Sequence, residues 1–290
     1  MPTAAASIRC RSITEADVDG VVNLLVRGFK VRPREFWARA MARIREHAST
    51  PEYPKYGYLL ERDGAVVGVL LLICTTMTVD GEPAYVRGSV SSWYVDPEFR
   101  SHASMLASRA LKHKDVSYIN VSPVPHTLPI LEAQGYRRFS QGIFAAMLAM
   151  APSVPGCRVT LAGPELVAGP DLSASEVTLL QTHRAWGCLS LVCTVDGHRA
   201  PFVFLRRTFR GVLPYACLIY CRDIDDVVRF AGPLGSFLAR QGLALALIDA
   251  DGPVEGLTGR YFAGKSKFYK GPHKPRLGNL AYTEMVILGL

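Results

Sequence analysis

Residues 93–105 read Trp93-Tyr94-Val95-Asp96-Pro97-Glu98-Phe99-Arg100-Ser101-His102-Ala103-Ser104-Met105, after which helix-forming residues follow. A strand rich in aromatic and β-branched residues stops at Asp96-Pro97, and a helix over 102–114 begins beside it. The first N–H groups of a helix have no intrahelical acceptor, and with the helix dipole they favour an anion. The backbone N–H groups of Ser101, His102, Ala103, Ser104 and Met105 could therefore cradle a diphosphate, with Arg100 adding a full charge. The same residues also fit an ordinary helix start, with Ser101 as N-cap and Arg100 solvated. A second group of candidates lies further on. Lys265, Lys267, Lys270, Lys274 and Arg276 follow one another with no acid between them, and Phe268 and Tyr269 are interleaved. Lys265, Lys267, Tyr269 and Lys270 could bind an anionic acceptor such as a nucleotide sugar, a carrier phosphopantetheine or RNA. They could equally form an exposed basic hairpin whose aromatic residues face the core. Gly271-Pro272 and Pro275 make a rigid loop in either case.

The elements that must position these residues belong to a chain of 290 residues with net charge +8, 49% hydrophobic and 20% charged. That composition is globular, and the length allows two domains. A modest basic excess suits an anionic substrate or cofactor and suits plain solubility as well. The longest apolar run, Val66–Cys74, is broken by Gly68. It falls far short of the roughly 20 residues a membrane helix needs, so it reads as a buried strand. The start of the chain lacks the pattern of a secretory leader. The cysteines are odd in number, form no C-x-x-C pair and sit mostly in apolar runs. A reducing cytoplasm, no zinc and no disulfide framework are the expectation.

Strand-like alternation over 7–13 is followed by Thr14, a good N-cap with Asp17 three residues on. Val18, Val21, Val22, Leu25, Val26 and Phe29 then share one helical face. A second helix is predicted over 34–47 and strands over 57–62 and 65–79, turned by Asp63-Gly64. A turn at Glu82-Pro83, a strand over 85–95, the helix over 102–114, a strand over 116–121, a short helix ending at Gly135 and strand over 137–150 complete the first part. Three strands precede a helix–strand–helix–strand tail. That order predicts an α+β fold, a mixed, partly parallel sheet flanked by helices. Residues 151–171 are rich in Pro and Gly and read as a linker with one short strand. Beyond them the same element order returns: a helix near 173–185, strands over 188–196, 199–208 and 215–221, a helix broken at Gly232-Pro233, a strand near 243–251, and a closing strand pair over 259–269 and 279–288.

This layout resembles the GCN5-related N-acetyltransferase (GNAT) superfamily over about residues 7–150. The residues that carry the resemblance are Val95-Asp96-Pro97, matching V-x-P, and Arg100–Met105, matching R/Q-x-x-G-x-G/A. The run from Ile119 through Gly135-Tyr136 is similar to the family's next strand, short helix and turn. Ala103 and Met105 stand where the family has glycines. The resemblance implies two GNAT-like domains in tandem, the second degenerate. Residues 1–150 would bind acetyl-CoA or another acyl-CoA, and residues 172–290 would shape the acceptor site. It also implies that Trp93, Tyr94 and Val95 offer backbone groups to the pantetheine arm, with the Arg100–Met105 loop on the diphosphate. Asn120 could bind the cofactor amide or cap a strand end.

Acyl transfer to an amine needs a base for the ammonium and an acid for the thiolate. Leu131 occupies the place of the tyrosine that many members use as acid, four residues before Gly135. The strand over 85–95 lacks a glutamate and offers Ser89, Ser91 and Ser92. His126 and Ser122 remain as catalytic candidates, His126 for its pKa near neutrality. His126 could also be a surface residue at a helix start, and water could relay the proton instead. The expected activity is acyl-CoA-dependent N-acylation of a primary amine on a small molecule or amino sugar, possibly anionic. An aminoacyl-tRNA-dependent transferase and a non-catalytic acyl-CoA-binding module are the alternatives.

Overall fold

Strand β1 (Arg9–Ser12) opens the fold, and Thr14 starts the helical segment behind it. The Asp17 carboxylate accepts the Thr14 N–H at 2.8 Å and the Thr14 hydroxyl at 2.7 Å. Arg11 donates to the same carboxylate at 2.6 Å and holds it well below the usual carboxylate range. The structure, a computed structural model, describes residues 7–48, 50–78 and 83–289. Helix α1 (Val18–Gly28) buries Val21, Val22 and Leu25 of the predicted stripe and also Leu24, while Val18 and Val26 are part-exposed. Helix α2 (Arg34–Glu46) buries Phe36, Trp37, Ala40, Met41 and Ile44.

Strands β2 (Gly57–Arg62) and β3 (Ala65–Met77) are joined at Asp63 and Gly64, both in left-handed backbone at φ 51° and 79°. That is the geometry the Asp-Gly pair favours. The turn expected at Glu82-Pro83 lies partly outside the described residues. Strand β4 (Tyr85–Val95) ends, as read, at Asp96-Pro97. A 3₁₀ turn over Pro97–His102 then precedes helix α3 (Ala103–Ala110) and strand β5 (Ser117–Asn120). A second 3₁₀ turn, Pro125–Thr127, leads into α4 (Leu128–Ala133). The strand order is β1-β2-β3-β4-β5. The first three pairings are antiparallel, and β4–β5 is parallel across the α3 crossover.

Strand β6 (Arg137–Ala146) precedes the Pro- and Gly-rich stretch, and β7 (Arg158–Leu161) lies within it. Helix α5 (Ala174–Ala185), β8 (Leu189–Val195), β9 (His198–Phe209) and β10 (Leu213–Tyr220) follow. Ser173 caps α5 by accepting the Glu176 N–H at 3.3 Å, the cap expected of such a residue. Helices α6 (Ile224–Arg229) and α7 (Ala231–Arg240) lead to β11 (Ala246–Ala250), β12 (Gly259–Lys270) and α8 (Glu284–Ile287). Strands β7, β8, β9 and β10 pair antiparallel in turn, and β10 pairs parallel with β11 across α6 and α7. This order repeats β1 to β5. The repetition was legible as element order, with no matching residues behind it.

Contacts divide the chain into two compact units. The first runs to Tyr136 and also takes Tyr269–Lys274 and everything from Thr283 onward. The second holds Arg137–Phe268 and Pro275–Tyr282, with a core built on Phe144, Phe202, Phe204, Leu218 and Leu234. The division expected from composition, 1–150 and 172–290, cuts the chain elsewhere and misses both returning pieces. The 151–171 stretch contains β7, which pairs with β8. The closing strand expected over 279–288 is instead the short helix α8. The Thr283 carbonyl oxygen accepts the N–H groups of Val286 and Ile287, each at 3.0 Å, which closes a helical turn where alternation had suggested a strand. The break in the second unit's helix falls at Phe230, so Gly232 and Pro233 sit in the first turn of α7, where a proline is tolerated.

Candidate functional site

Strands β4 and β5 pair only at Arg87↔Ser117, Gly88↔Tyr118 and Ser89↔Ile119. Beyond Ser89 the β4 edge continues to Val95 without that partner. A bulge sharpens the departure. Leu71 faces Ser91 and Val69 faces Tyr94, so β4 spends three residues where β3 spends two. Ser92 takes up the extra length in left-handed backbone at φ 49°, a cost most residues outside glycine avoid.

A cavity of about 260 Å³ opens where the strands part. Val90, Ser91, Ser92 and Trp93 line it from β4, and Asn120, Ser122 and Val124 from the end of β5 and the loop after it. Phe29 and Arg32, from the connection between α1 and α2, and Trp37 of α2 also line it. Leu131 and Tyr136 lie on the remaining side. The lining is mainly apolar, and Arg32 is its one charged side chain among the described residues. Trp37 and Trp93 each have an indole N–H with no hydrogen-bond partner. Trp37 is 1% exposed. A buried donor left unpaired costs about 1–3 kcal/mol, so two such donors on one cavity point to a ligand that supplies acceptors.

The structure brings Trp93, Asn120 and Ser122 together on this cavity. It places Tyr94 and Val95 on the same strand but off the lining. Tyr94 packs instead against Phe29, ring centres 6.2 Å apart, and Val95 is buried opposite Gly68. Residues Arg100–Met105 stand outside the lining. The helix proper begins at Ala103, and the Ala103 N–H is taken by the Arg100 carbonyl oxygen, because the 3₁₀ turn uses amides that a direct helix start would leave free. Arg100, Ser101, Ser104 and Met105 are exposed, and the Ser101 hydroxyl lies 3.1 Å from His102 Nδ1. His126 is exposed in the Pro125–Thr127 turn and is not part of the lining, although Val124 and Thr127 of the same stretch are. Tyr136, at the turn that follows the short helix, lines the cavity, and burial raises its phenol pKa.

The basic run begins in the second half of β12, which holds Lys265, Lys267 and Lys270, and Lys274 and Arg276 follow the strand. Lys265 is exposed. Lys267 is 5% exposed and ion-paired with Asp249. Tyr269 is buried, and Lys270 donates to the Gln134 carbonyl oxygen at 2.6 Å. Lys267 and Lys270 thus spend their charges on partners inside the protein, and Lys265 stays exposed.

Sequence reasoning missed Trp37 and Arg32 of the lining, and it missed an acid behind it. Glu284, on α8, is wholly buried in the first unit. Its carboxyl oxygens accept the hydroxyl of Ser122 at 2.8 Å and the hydroxyl of Ser89. Burial raises its pKa above the usual carboxylate value, against the opposing effect of those hydrogen bonds. The only sequence signal was an acid in an otherwise apolar run, over which a strand had been assigned.

A cleft between parted strands, bounded by apolar groups, backbone edge and unpaired N–H donors, can hold an extended chain bearing amide and acyl oxygens. No family model and no curated protein matches the sequence. Solved structures do match the fold. A candidate acetyltransferase from Pyrococcus horikoshii is 11% identical, with TM-score 0.57 over 95% of this chain and 93% of its own. A GCN5-related N-acetyltransferase from Anabaena variabilis is 12% identical, with TM-score 0.57 over 91% of this chain and 72% of its own. Eis1 from Mycobacterium abscessus is 11% identical, with TM-score 0.51 over 94% and 74%. The chain has the GCN5-related N-acetyltransferase fold.

Proposed function

We propose that the protein is an acyl-CoA-dependent N-acyltransferase acting on the primary amine of an apolar small molecule. The observation that carries this reading is the parting of β4 and β5 after Ser89 and Ile119, with the cavity opened between them. The fold similarity to N-acetyltransferases supports it. Acyl-CoA supplies the activated carbonyl: its thioester carbon takes the amine, the C–S bond breaks, and a thiol and an amide result.

In this reading the β4 edge from Val90 to Val95 and the Asn120 side chain hold the pantetheine amides. The unpaired indole N–H groups of Trp93 and Trp37 meet acyl or acceptor oxygens. The exposed Arg100–Met105 segment lies at the end of β4 where the diphosphate would sit. The apolar lining and the lack of a lining acid among the described residues favour an acceptor with an apolar body over a polycationic amino sugar. Residues 269–274 and those from Thr283 onward complete the first unit, so the C-terminal part contributes to the acyl-transfer unit itself.

Thiol release from acetyl-CoA, followed against a panel running from 2-phenylethylamine to amino sugars, tests the proposal. Turnover is expected with apolar primary amines and little with amino sugars. Cofactor binding with no thiol release for any amine would mark a non-catalytic acyl-CoA-binding module instead.

A further inference from the structure

We infer that Glu284 is the proton acceptor for the attacking amine, reached through the hydroxyl of Ser122. The inference rests on the acyl-transfer reading and supplies the base that β4 lacks. Ser122 stands at the boundary. It is exposed and lines the cavity, yet its hydroxyl donates to Glu284 Oε1 at 2.8 Å. The carboxylate behind it is wholly buried and forms no part of the lining. A bound amine beside Ser122 is thus one hydroxyl away from a carboxylate held out of water.

That carboxylate is held firmly. Its second oxygen accepts the Ser89 hydroxyl, the Ser89 oxygen accepts the Glu284 N–H at 3.4 Å, and the Val121 backbone also bonds the carboxylate. These contacts are hydroxyls and backbone groups; none is a cation. On the elements packed against α8, the nearby charges are Arg43 of α2 and the buried Arg87 of β4. Arg43 gives its guanidinium to the Val286 carbonyl oxygen at 3.2 Å. Burial is therefore the main influence on the carboxyl, and it moves the pKa upward, towards the pH at which a base is most useful to an enzyme. A carboxylate buried without a cation is costly to stability, and packing alone would be served as well by a glutamine.

The protons balance. The ammonium gives one proton to Ser122 Oγ as the Ser122 hydroxyl proton passes to Glu284 Oε1. The neutral amine then forms the C–N bond, the C–S bond breaks, and the proton that the nitrogen sheds leaves with the thiol. Glu284 returns its proton to solvent through Ser122. Ser122 touches the reacting amine and is the catalytic residue; Glu284 acts through it and positions it.

The test compares the full chain with Glu284→Gln and Ser122→Ala, using acetyl-CoA and 2-phenylethylamine for thiol release and CoA for calorimetric binding. The expected result is a fall in kcat of about 100-fold or more in both variants, the usual scale of acid–base catalysis, with CoA binding unchanged. The wild-type rate should rise with pH as Glu284 ionises, at a pH above the ordinary carboxylate range. That acidic limb should vanish in Glu284→Gln.

A second readout needs no turnover. The infrared band of a neutral buried carboxyl should persist in the wild type above the ordinary carboxylate range, be absent from Glu284→Gln and shift in Ser122→Ala. Stability gives the same sign. The native state keeps a proton that the unfolded state has released, so wild-type stability falls relative to Glu284→Gln as pH rises from the unfolded carboxylate pKa through the raised native one. A Glu284→Gln chain that binds CoA and retains the wild-type kcat and pH profile overturns the relay, as does a carboxyl band indifferent to Ser122. A wild-type chain that neither binds CoA nor releases thiol overturns the acyl-transfer reading and the relay with it.

Discussion

At the scale of single residues, the cavity is defined by what it leaves unsatisfied. Trp37 is buried with its indole N–H unpaired, and the indole N–H of Trp93, on the same cavity, is unpaired as well. Trp37→Phe removes one of these donors while keeping an aromatic ring in place. The expected outcome is a KM for the accepted amine raised several-fold, with the chain still folded, since an orphan donor costs the unliganded state stability rather than adding to it. Steady-state kinetics beside a thermal melt checks this, and an unchanged KM would mean the donor meets no ligand. Only part of this scale was open to sequence reading. Trp93, Asn120 and Ser122 were singled out and do meet at one cavity. Glu284, Trp37 and Arg32 were not, because their relevance is created by chain segments far apart in sequence. No local pattern tells that a carboxylate at 284 will meet hydroxyls at 89 and 122.

At the scale of elements, two tight packings set the cleft. One is the bulge at Ser92. The other is the end of α1, where a Cβ on Gly28 would lie 2.5 Å from the Tyr94 ring. Gly28→Ala must push Tyr94 and the β4 end away from α1. Overpacking of this kind costs about 1–3 kcal/mol, so a lower denaturation midpoint and weaker CoA binding are expected together. A variant that loses stability yet binds CoA normally would detach the α1–β4 contact from the site. Elements with strong local signals were read correctly: the Asp63-Gly64 turn, the existence of α1, and the strand ending at Asp96-Pro97. The failures came where local signals conflict. The 3₁₀ turn before α3 and the helix α8 are both short. Each is decided by a few backbone hydrogen bonds that periodicity does not resolve.

At the scale of the whole molecule, the first unit is assembled from separated parts of the chain. Val286, Ile287 and Leu288 are all buried in it, at 1%, 0% and 3% exposure. Each fully buried aliphatic side chain of this size contributes roughly 1.5–3 kcal/mol, and the margin of a typical domain is only about 5–15 kcal/mol. A fragment of residues 1–150, the domain that composition suggested, lacks these residues. It is expected to be destabilised by several kcal/mol and to bind a hydrophobic dye. A cooperative melt of that fragment at the full-length midpoint would show the returning segments to be dispensable. The repeated strand order was legible because each half punctuates its strands with the same kinds of turn. The exchange of the C-terminal pieces was not, because it is a matter of tertiary packing alone.

The central claim is that the cleft between β4 and β5 receives the pantetheine arm of an acyl-CoA. Isothermal titration of the full chain with acetyl-CoA measures this most directly, set beside the same titration of Ser91→Trp, which fills the cleft from β4. Saturable one-site binding by the wild type, lost or greatly weakened in Ser91→Trp, is the predicted result. Absence of saturable heat at millimolar acetyl-CoA, or binding that a tryptophan at 91 leaves untouched, would contradict it.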